Sequence, residues 1–234
     1  HSIDFTDYPY TKSTLFTIRK DQIHKFYKNP DTKGFLLLFT EDFLASLLSQ
    51  KEVVRSHELF NQFLTSPKLT INDEDFDGIY SVVKYIELEY TKNYDEFSGG
   101  IIRNALHILV YKLFRIKLKQ GTHFSQHKYV GDFIQFQQLI EKRCFETKKT
   151  LDYAQLMGCT PKTLNNVCQT IVGKSAKTII DEILVTQIKR LLINTSLSIT
   201  EIAYTSGFDE PTNMYKYFKK HTKVTPEAFR QRHI

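Results

Sequence analysis

The sequence of 234 residues lacks any uncharged apolar run of about 18 residues or more, so no membrane-spanning helix is expected. It begins without a basic and apolar secretion signal, and with His1 rather than Met, so we interpret its start as a fragment or a processed end. It has only three cysteines, Cys144, Cys159 and Cys168, and no C-x-x-C pair. That pattern argues against a disulfide framework or a cysteine-rich zinc site. We expect small buried apolar thiols in a reducing cytoplasm.

The common enzyme motifs are also missing. The chain contains no G-x-S-x-G, no phosphate-binding P-loop and no glycine-rich dinucleotide turn. His123 and His127 have the i, i+4 spacing that can hold zinc on a helix, but the surrounding residues are typical of a linker and there is no H-E-x-x-H. We therefore predict no catalytic site, no metal and no cofactor.

Positive charge is unevenly distributed along a chain of ordinary apolar content, 41%, which is enough for one large domain or two small ones. From Lys142 onward there are 15 Lys and Arg against 8 Asp and Glu, whereas the preceding residues hold 17 against 18. The net charge of +6 therefore comes from the C-terminal part. This asymmetry favours a polyanionic partner, most commonly nucleic acid, over the alternative of a solvated basic face.

The first 120 residues predict an α+β region. The runs "STLFTIRKDQIHKF" and "GFLLLF" are rich in β-branched and aromatic residues and are separated by turn residues, which predicts short strands. From Glu41 the apolar spacing becomes helical, and "DEDFDGIYSVVKYIELEY" and "IIRNALHILVYKLFRIKLK" continue it. We predict a domain over residues 1–120, a linker over 121–130, and an all-helical domain over 131–234.

Seven helices are predicted in the C-terminal domain, several of them with identifiable start signals. Thr160 and Thr225 each precede a proline, which places a hydroxyl at the N-cap and the proline at the first helical position. Ser198 and Glu201 have the spacing of a capping box, and Asp209 is predicted to cap the helix that follows it. The predicted helices cover residues 132–146, 151–157, 161–171, 175–193, 199–205, 210–220 and 226–232.

An internal repeat links two of these helix pairs. "LDYAQLMGCTPKTLNNVC" and "ITEIAYTSGFDEPTNMYKYF" each give a short helix, a glycine, a capped turn and a second helix, which is the helix-turn-helix pattern. Gly158 and Gly207 are equivalent and are expected in the left-handed region, and Leu164 is equivalent to Met214 in the core. The helix between the pairs has about 19 residues and is about 28 Å long. It can therefore hold the two second helices about one DNA turn apart.

With these motifs, the stretch from about residue 131 to 234 resembles the AraC/XylS family of bacterial transcription regulators. The resemblance is carried by "LDYAQLMGCTPKTL", "IKRLLINTSLSITEIAYTSGF" and "YFKKHTKVTPEAFR". Two residues depart from the family pattern: Cys168 replaces a large apolar residue, and Ile188 replaces a small one. The N-terminal "LFTIRKDQIHKFYKNPDTKGFLLLFTEDFL" is similar to the closing strands of that family's cupin-like sensor. A jelly-roll has about eight strands, and only three or four are visible here.

The resemblance implies that the third and sixth helices of the domain read base edges of double-stranded DNA. Asn suits adenine, Lys suits guanine, and the Thr methyl group suits the thymine methyl group. The candidate base-reading residues are Lys162, Asn165, Asn166, Pro211, Thr212, Asn213, Tyr215 and Lys216. Phosphate contacts position a protein without specifying sequence. The phosphate candidates are Lys219, Lys220, Lys174, Lys177 and Arg230. For each, the alternative is an ordinary exposed polar residue.

The resemblance also implies partners for the N-terminal region. The helix over residues 101–118 has one apolar stripe containing Leu109 and Leu113 and a second containing Ile101 and Ile108, and apolar residues on two faces favour burial on two faces. We expect it to form a homodimer, with packing inside its own domain as the alternative. RNA polymerase is a further candidate partner.

A small-molecule effector is the last candidate partner. Its predicted pocket wall consists of alternating strand residues, against the alternative of a dry core. These residues are Phe16, Ile18, His24, Phe26 and Phe39. The sequence thus predicts a regulator of the AraC/XylS type, with or without an effector. A cupin-type metal-dependent enzyme or ligand-binding protein with an appended helical domain is the alternative.

Overall fold

The computed structural model describes residues 1–27, 31–46, 52, 59–61, 63–120 and 128–233, which belong to two units, residues 1–127 and 128–234. His123 and His127 lie outside the described residues. Among the described helices, none combines the length and the apolar character needed to span a membrane. The protein is mostly helical, with small antiparallel sheets near its N-terminus.

The N-terminal strands are short and form two small sheets. In the first, β1 lies between β2 and β4, and in the second, β3 pairs with β5, which brings Leu15 opposite Leu69. The predicted strand at "GFLLLF" is wrong, because residues 35–39 have no regular structure and Leu38 is 85% exposed. The cupin likeness stays a prediction. The strands are β1 Ser2–Ile3, β2 Thr6–Asp7, β3 Thr14–Phe16, β4 His24–Lys25 and β5 Lys68–Thr70.

Three described helices complete the N-terminal unit: α1 Glu41–Ala45, α2 Asp73–Thr91 and α3 Ser98–Lys119. Side-chain oxygens of Thr40 and Asn72 accept capping hydrogen bonds at the starts of α1 and α2, which satisfies backbone N–H groups that lack helical partners. The long helices α2 and α3 pack against each other along their apolar faces. The core residues they contribute are Ile79, Val83, Leu106, Leu109, Leu113 and Ile116.

Lys117 is a buried lysine in the described part of this unit. Lys117 is 6% exposed, and its Nζ donates to the carbonyl of Leu59 at 2.9 Å and to Thr65 Oγ1 at 2.6 Å. Burial lowers the pKa of Lys117 to about 8 because the charged form loses hydration. The ammonium group thus ties the end of α3 to the segment that precedes β5.

The C-terminal unit is built from helices around one central rod. Each predicted helix has a counterpart whose ends differ by no more than three residues. The 19-residue helix α7 is the most buried, and Ile180, Leu184 and Ile188 on it are 0% exposed. Large side chains from other helices, such as Phe136 and Phe218, are also fully buried. The helices are α4 Val130–Arg143, α5 Thr150–Leu156, α6 Pro161–Val172, α7 Ala176–Asn194, α8 Ile199–Thr205, α9 Pro211–Thr222 and α10 Pro226–His233.

Candidate nucleic-acid interface

The first helix-turn-helix consists of α5 and α6. Gly158 lies between them with a φ of +63°, as predicted, and Thr160 Oγ1 accepts the N–H of Thr163 at 3.1 Å to cap α6. On α6, Leu164 and its apolar neighbours are buried while Lys162 and Asn166 are exposed. The helix therefore presents a polar face opposite the core, as its spacing predicts.

Asn165 also lies on the exposed side of α6, but its carboxamide has a structural role. Its Oδ1 accepts the backbone N–H of Ala176 at 2.9 Å, at the first residue of α7. This bond occupies one of the two lone pairs of Oδ1 and holds the carboxamide towards α7, so Asn165 is a weaker candidate for the bidentate contact with adenine that the sequence suggests. Sequence reasoning missed this contact because it joins residues 11 positions apart across a turn.

The second helix-turn-helix consists of α8 and α9. The capping box at Ser198 and Glu201 is present in both directions, which confirms that prediction. The predicted cap at Asp209 is wrong: Glu210 occupies the N-cap of α9, and its side chain makes no capping bond. Pro211 is then the first residue of the helix. Proline is tolerated there because a backbone N–H at this position would have no partner within the helix.

The outer face of α9 carries the second set of candidates. Thr212, Asn213 and Lys216 are exposed, whereas Pro211 and Tyr215 are half-buried. By the repeat offset, Asn166 and Lys216 occupy equivalent places on α6 and α9. Within the described residues, the side chains of Asn166, Asn213 and Lys216 make no hydrogen bond or ion pair with the protein, so their polar groups face solvent.

The predicted phosphate contacts divide into two groups. Lys219 and Lys220 are exposed on α9. Lys174 instead forms an ion pair with both carboxylate oxygens of Glu182, at 2.7 and 2.8 Å. The Arg230 guanidinium donates to the carbonyls of two residues near the end of α7, at 2.9 Å from Nε and 2.7 Å from an Nη nitrogen. It therefore anchors α10 to that region.

A cluster that the sequence did not predict joins the two helix-turn-helix units. The turn at Gly207 lies directly on the segment of residues 145–149 that precedes α5: a Cβ at Gly207 would stand 1.8 Å from the carbonyl oxygen of Phe145. Lys148 Nζ donates to the Gly207 carbonyl at 2.5 Å. No pairwise spacing in the sequence signals these contacts, because they join residues about 60 positions apart.

Comparison with known proteins identifies this unit. Residues 153–232 match the family model described as "Helix-turn-helix domain". Over 97 residues the chain is 32% identical to the HTH-type transcriptional regulator GlxA of Rhizobium meliloti (strain 1021). The C-terminal unit is an AraC-type helix-turn-helix domain. The aligned stretch covers 40% of this chain and 30% of the GlxA sequence.

Several solved structures, among them two bacterial regulators, are similar to part of the chain. One is the C-terminal domain of AraT, a response regulator from Geobacillus stearothermophilus, with 25% identity, a TM-score of 0.39 and coverage of 42% of this chain and 81% of that one. The other is an AraC-type transcriptional regulator from Chromobacterium violaceum, with 23% identity, a TM-score of 0.39 and coverage of 42% and 88%.

The cysteines of the AraC-type domain have the environment expected of apolar residues. Cys144 and Cys168 are buried and Cys159 is half-buried, and all three are free. Burial raises the pKa of the Cys144 thiol to about 11 and that of Cys168 to about 12, so both remain protonated at neutral pH. Cys168, one of the two departures from the family pattern, is 0% exposed in the core.

Outside the AraC-type domain, the predicted ligand wall is only partly assembled. Phe16 and His24 stack on His1 at 4.7 and 5.5 Å between ring centroids, and Phe26 meets the same ring edge-on at 3.9 Å. Ile18 is half-buried just after β3. Phe39 departs from the expectation, since its ring packs on Phe60 at 6.2 Å.

The two apolar stripes of α3 have different surroundings. Leu109 and Leu113 are each 4% exposed in the core of the N-terminal unit. The other stripe lines a groove of about 420 Å³ between α2 and α3, with Tyr85, Ile101 and Ile108 in its wall. Ile108 is 51% exposed, so one stripe forms the core while the other remains open at the surface.

Proposed function

We propose that this protein is a sequence-specific regulator of transcription that binds double-stranded DNA through α6 and α9. The observation that carries the proposal is the repeated helix-turn-helix on either side of α7, with equivalent polar faces on its two second helices. A 19-residue helix spans about 28 Å, close to one turn of DNA. One chain can then insert both helices into successive major grooves.

The exposed side chains support a division of roles. Asn166 and Lys216 are the strongest candidates for base contacts, because each is exposed at the equivalent position of its helix. Lys162, Thr212 and Asn213 flank them, while Lys219 and Lys220 are placed for phosphate. Lys174 and Arg230 are weaker candidates than their sequence positions suggest, since both are held by protein partners.

The test starts with selection of duplexes from a random library by the full chain. On the selected duplex, Lys216→Ala and Asn166→Ala should each cost about 1–3 kcal/mol, with a smaller loss on a scrambled duplex. Lys142→Ala and Gln135→Ala, which remove an exposed lysine and amide from α4, are matched controls. Binding should weaken by roughly 10³–10⁵ between 50 and 200 mM salt if about 6–10 phosphates are contacted. Equal losses on both duplexes would mean contacts to phosphate only.

For the N-terminal unit, we propose that the open groove between α2 and α3 is covered by a second copy of the chain. An apolar wall with Ile108 half-exposed favours a partner. Ile108→Glu should convert a dimer to a monomer in sedimentation at micromolar concentration, while Lys92→Glu, an exposed charge change after α2, should not. Substitution of Leu109 or Leu113 would disrupt the core instead. A wild-type chain that is monomeric would contradict the dimer.

A small-molecule effector and RNA polymerase complete the proposal. The aromatic rings of Phe16, His24 and Phe26 around His1 are the candidate effector contacts. An effector acts only if it binds one arrangement of the protein more tightly than another. Metal analysis separates this proposal from the cupin-type enzyme: stoichiometric iron, manganese or zinc in the purified protein would favour the enzyme.

A further inference from the structure

The contact between the two helix-turn-helix units forms a closed ring of side chains, which we call the junction cluster: Lys148, Phe208, Tyr217, Asp181 and Lys177. We propose that the junction cluster fixes the spacing between α6 and α9 on DNA, with Tyr217 and Asp181 as positioning residues. The proposal rests on the DNA-binding function argued above. Under this inference, Tyr217 and Asp181 determine which spacing between half-sites the protein accepts.

The first side of the ring joins the segment before α5 to the turn before α9. Lys148 Nζ donates to the Gly207 carbonyl at 2.5 Å and lies 4.3 Å from the centre of the Phe208 ring. A lysine over an aromatic face is attracted by the ring quadrupole. The first helix-turn-helix is thus attached at its entrance to the turn of the second.

The second side of the ring joins α9 to the central helix α7. The Phe208 and Tyr217 rings are 5.4 Å apart, and the Tyr217 hydroxyl donates to Asp181 Oδ1 at 2.7 Å. The same oxygen accepts from Lys177 Nζ at 2.7 Å, and Lys177 Nζ also lies 3.2 Å from the carbonyl oxygen of Lys148. The ring of contacts returns to the residue where it began.

The bond between Tyr217 and Asp181 is partly buried, whereas the hydrogen bonds of Lys148 and Lys177 in this ring are exposed. The Asp181 side chain is only 13% exposed, and it is charged, so its bonds are charge-assisted and partly shielded from water. Burial and the bond to Asp181 raise the pKa of Tyr217, so its hydroxyl remains a donor at neutral pH. His221 Nε2, one turn further along α9, lies 4.0 Å from the other carboxylate oxygen. Together these groups fix the rotation of α9 about its own axis.

The packing of α6 and α9 explains why the junction cluster should affect DNA recognition. The first reading helix, α6, packs on α4, α5 and α7, while the second, α9, packs on α8 and α10. The junction cluster adds a direct tie from α9 to α7 and to the entrance of α5. A reading helix misplaced by about 1 Å loses bidentate base contacts, which require defined geometry. Loss of one contact in the junction cluster should therefore weaken simultaneous recognition of the two half-sites.

The experiment measures spacing preference with the full chain. The selected duplex is compared with versions in which one base pair is added or removed between the half-sites, which moves one half-site by roughly 3.4 Å along the axis and turns it by roughly 35° about the axis. Wild type should prefer the selected spacing by about tenfold or more. Tyr217→Phe removes one hydroxyl, and should reduce this preference to about threefold or less without unfolding the domain. Asp181→Asn keeps an acceptor for Tyr217 but loses the charge, so its effect should be intermediate.

Tyr204→Phe is the matched control, because this tyrosine lies in the same helix-turn-helix with its side chain exposed. It should leave both affinity and spacing preference unchanged. If Tyr217→Phe lowers affinity equally at every spacing, or changes nothing, the inference is wrong while the proposed function stands. If wild type selects no duplex, the proposed function fails, and this inference with it.

Discussion

The two turn glycines provide a matched pair for testing how the helix-turn-helix units are built. Gly158 and Gly207 are equivalent in the repeat and have φ values of +63° and +70°. Alanine at either position must adopt the left-handed region, which costs about 1–2 kcal/mol. At Gly158 a Cβ meets nothing within 4 Å, so Gly158→Ala should cost only that amount.

Gly207→Ala should cost much more. Its Cβ would lie 1.8 Å from a backbone oxygen, against a practical limit of 3.0 Å, so the segment of residues 145–149 must shift. Forcing an atom into packed surroundings adds about 1–3 kcal/mol or more, and losing the bond from the Lys148 ammonium to the Gly207 carbonyl adds about 1.5 kcal/mol or more. The total, about 4 kcal/mol or more, removes much of the stability of a domain held by about 5–15 kcal/mol.

Urea unfolding of the full chain, followed by circular dichroism at 222 nm, measures the difference between the two variants. The chain has no Trp, so the helical signal is the suitable probe. Gly158→Ala should retain a cooperative transition of the C-terminal unit at lower urea, whereas Gly207→Ala should lose it or nearly so. Equal losses of free energy of unfolding in the two variants would refute the steric argument at Gly207.

Three further changes follow from individual residues. Ser206→Ala should raise the free energy of unfolding by about 1 kcal/mol in urea titrations, because the Ser206 hydroxyl is fully buried without a partner among the described residues. Lys223→Gly should also stabilise by about 1 kcal/mol, since Lys223 has a φ of +65° where the first repeat has Gly173, and the reverse change, Gly173→Lys, should cost a similar amount. The pKa of Lys117 falls from 10.5 to about 8 on folding, so the folded state loses this proton at a lower pH than the unfolded state. The N-terminal unit should therefore be about 2 kcal/mol more stable at pH 9.5 than at pH 7, and urea titrations of Lys117→Met should lack that rise.

Local signals carried most of what the sequence could predict. The positions of the helices in the C-terminal unit follow from proline, glycine and hydroxyl residues that act within three or four positions, as at Thr160 and Ser198. The buried face of α6 follows from its helical spacing. Such signals do not distinguish between two neighbouring residues that could both be the N-cap, such as Asp209 and Glu210. The helix starts one residue later than a cap at Asp209 would require.

Contacts between distant residues could not be predicted in the same way. Asn165, Lys174 and Arg230 are all polar residues on a basic domain, and nothing in their spacing reveals that each has a protein partner. The close approach of Gly207 to Phe145 is equally hidden, because a glycine in a turn needs no neighbour to explain it. These partners decide which candidates remain available for DNA.

In the N-terminal unit, residue composition and periodicity could not predict which segments pair as strands. Residues 35–39 have the composition of a strand, but they are not paired in a sheet, and composition does not specify a partner. The strand Lys68–Thr70 was missed for the opposite reason: it is short and polar, and its pairing with Thr14–Phe16 defines it. In α3, periodicity found both apolar stripes but could not distinguish the core from the open groove.

The most direct test of the central claim is a base-resolution footprint of the full chain on its selected duplex, by methylation protection of guanine N7 in the major groove. Two reading helices on one chain predict two protected segments on the same face, about 10 base pairs apart. Asn166→Ala should weaken one segment and Lys216→Ala the other. A single protected segment that both variants weaken alike would contradict two-helix reading.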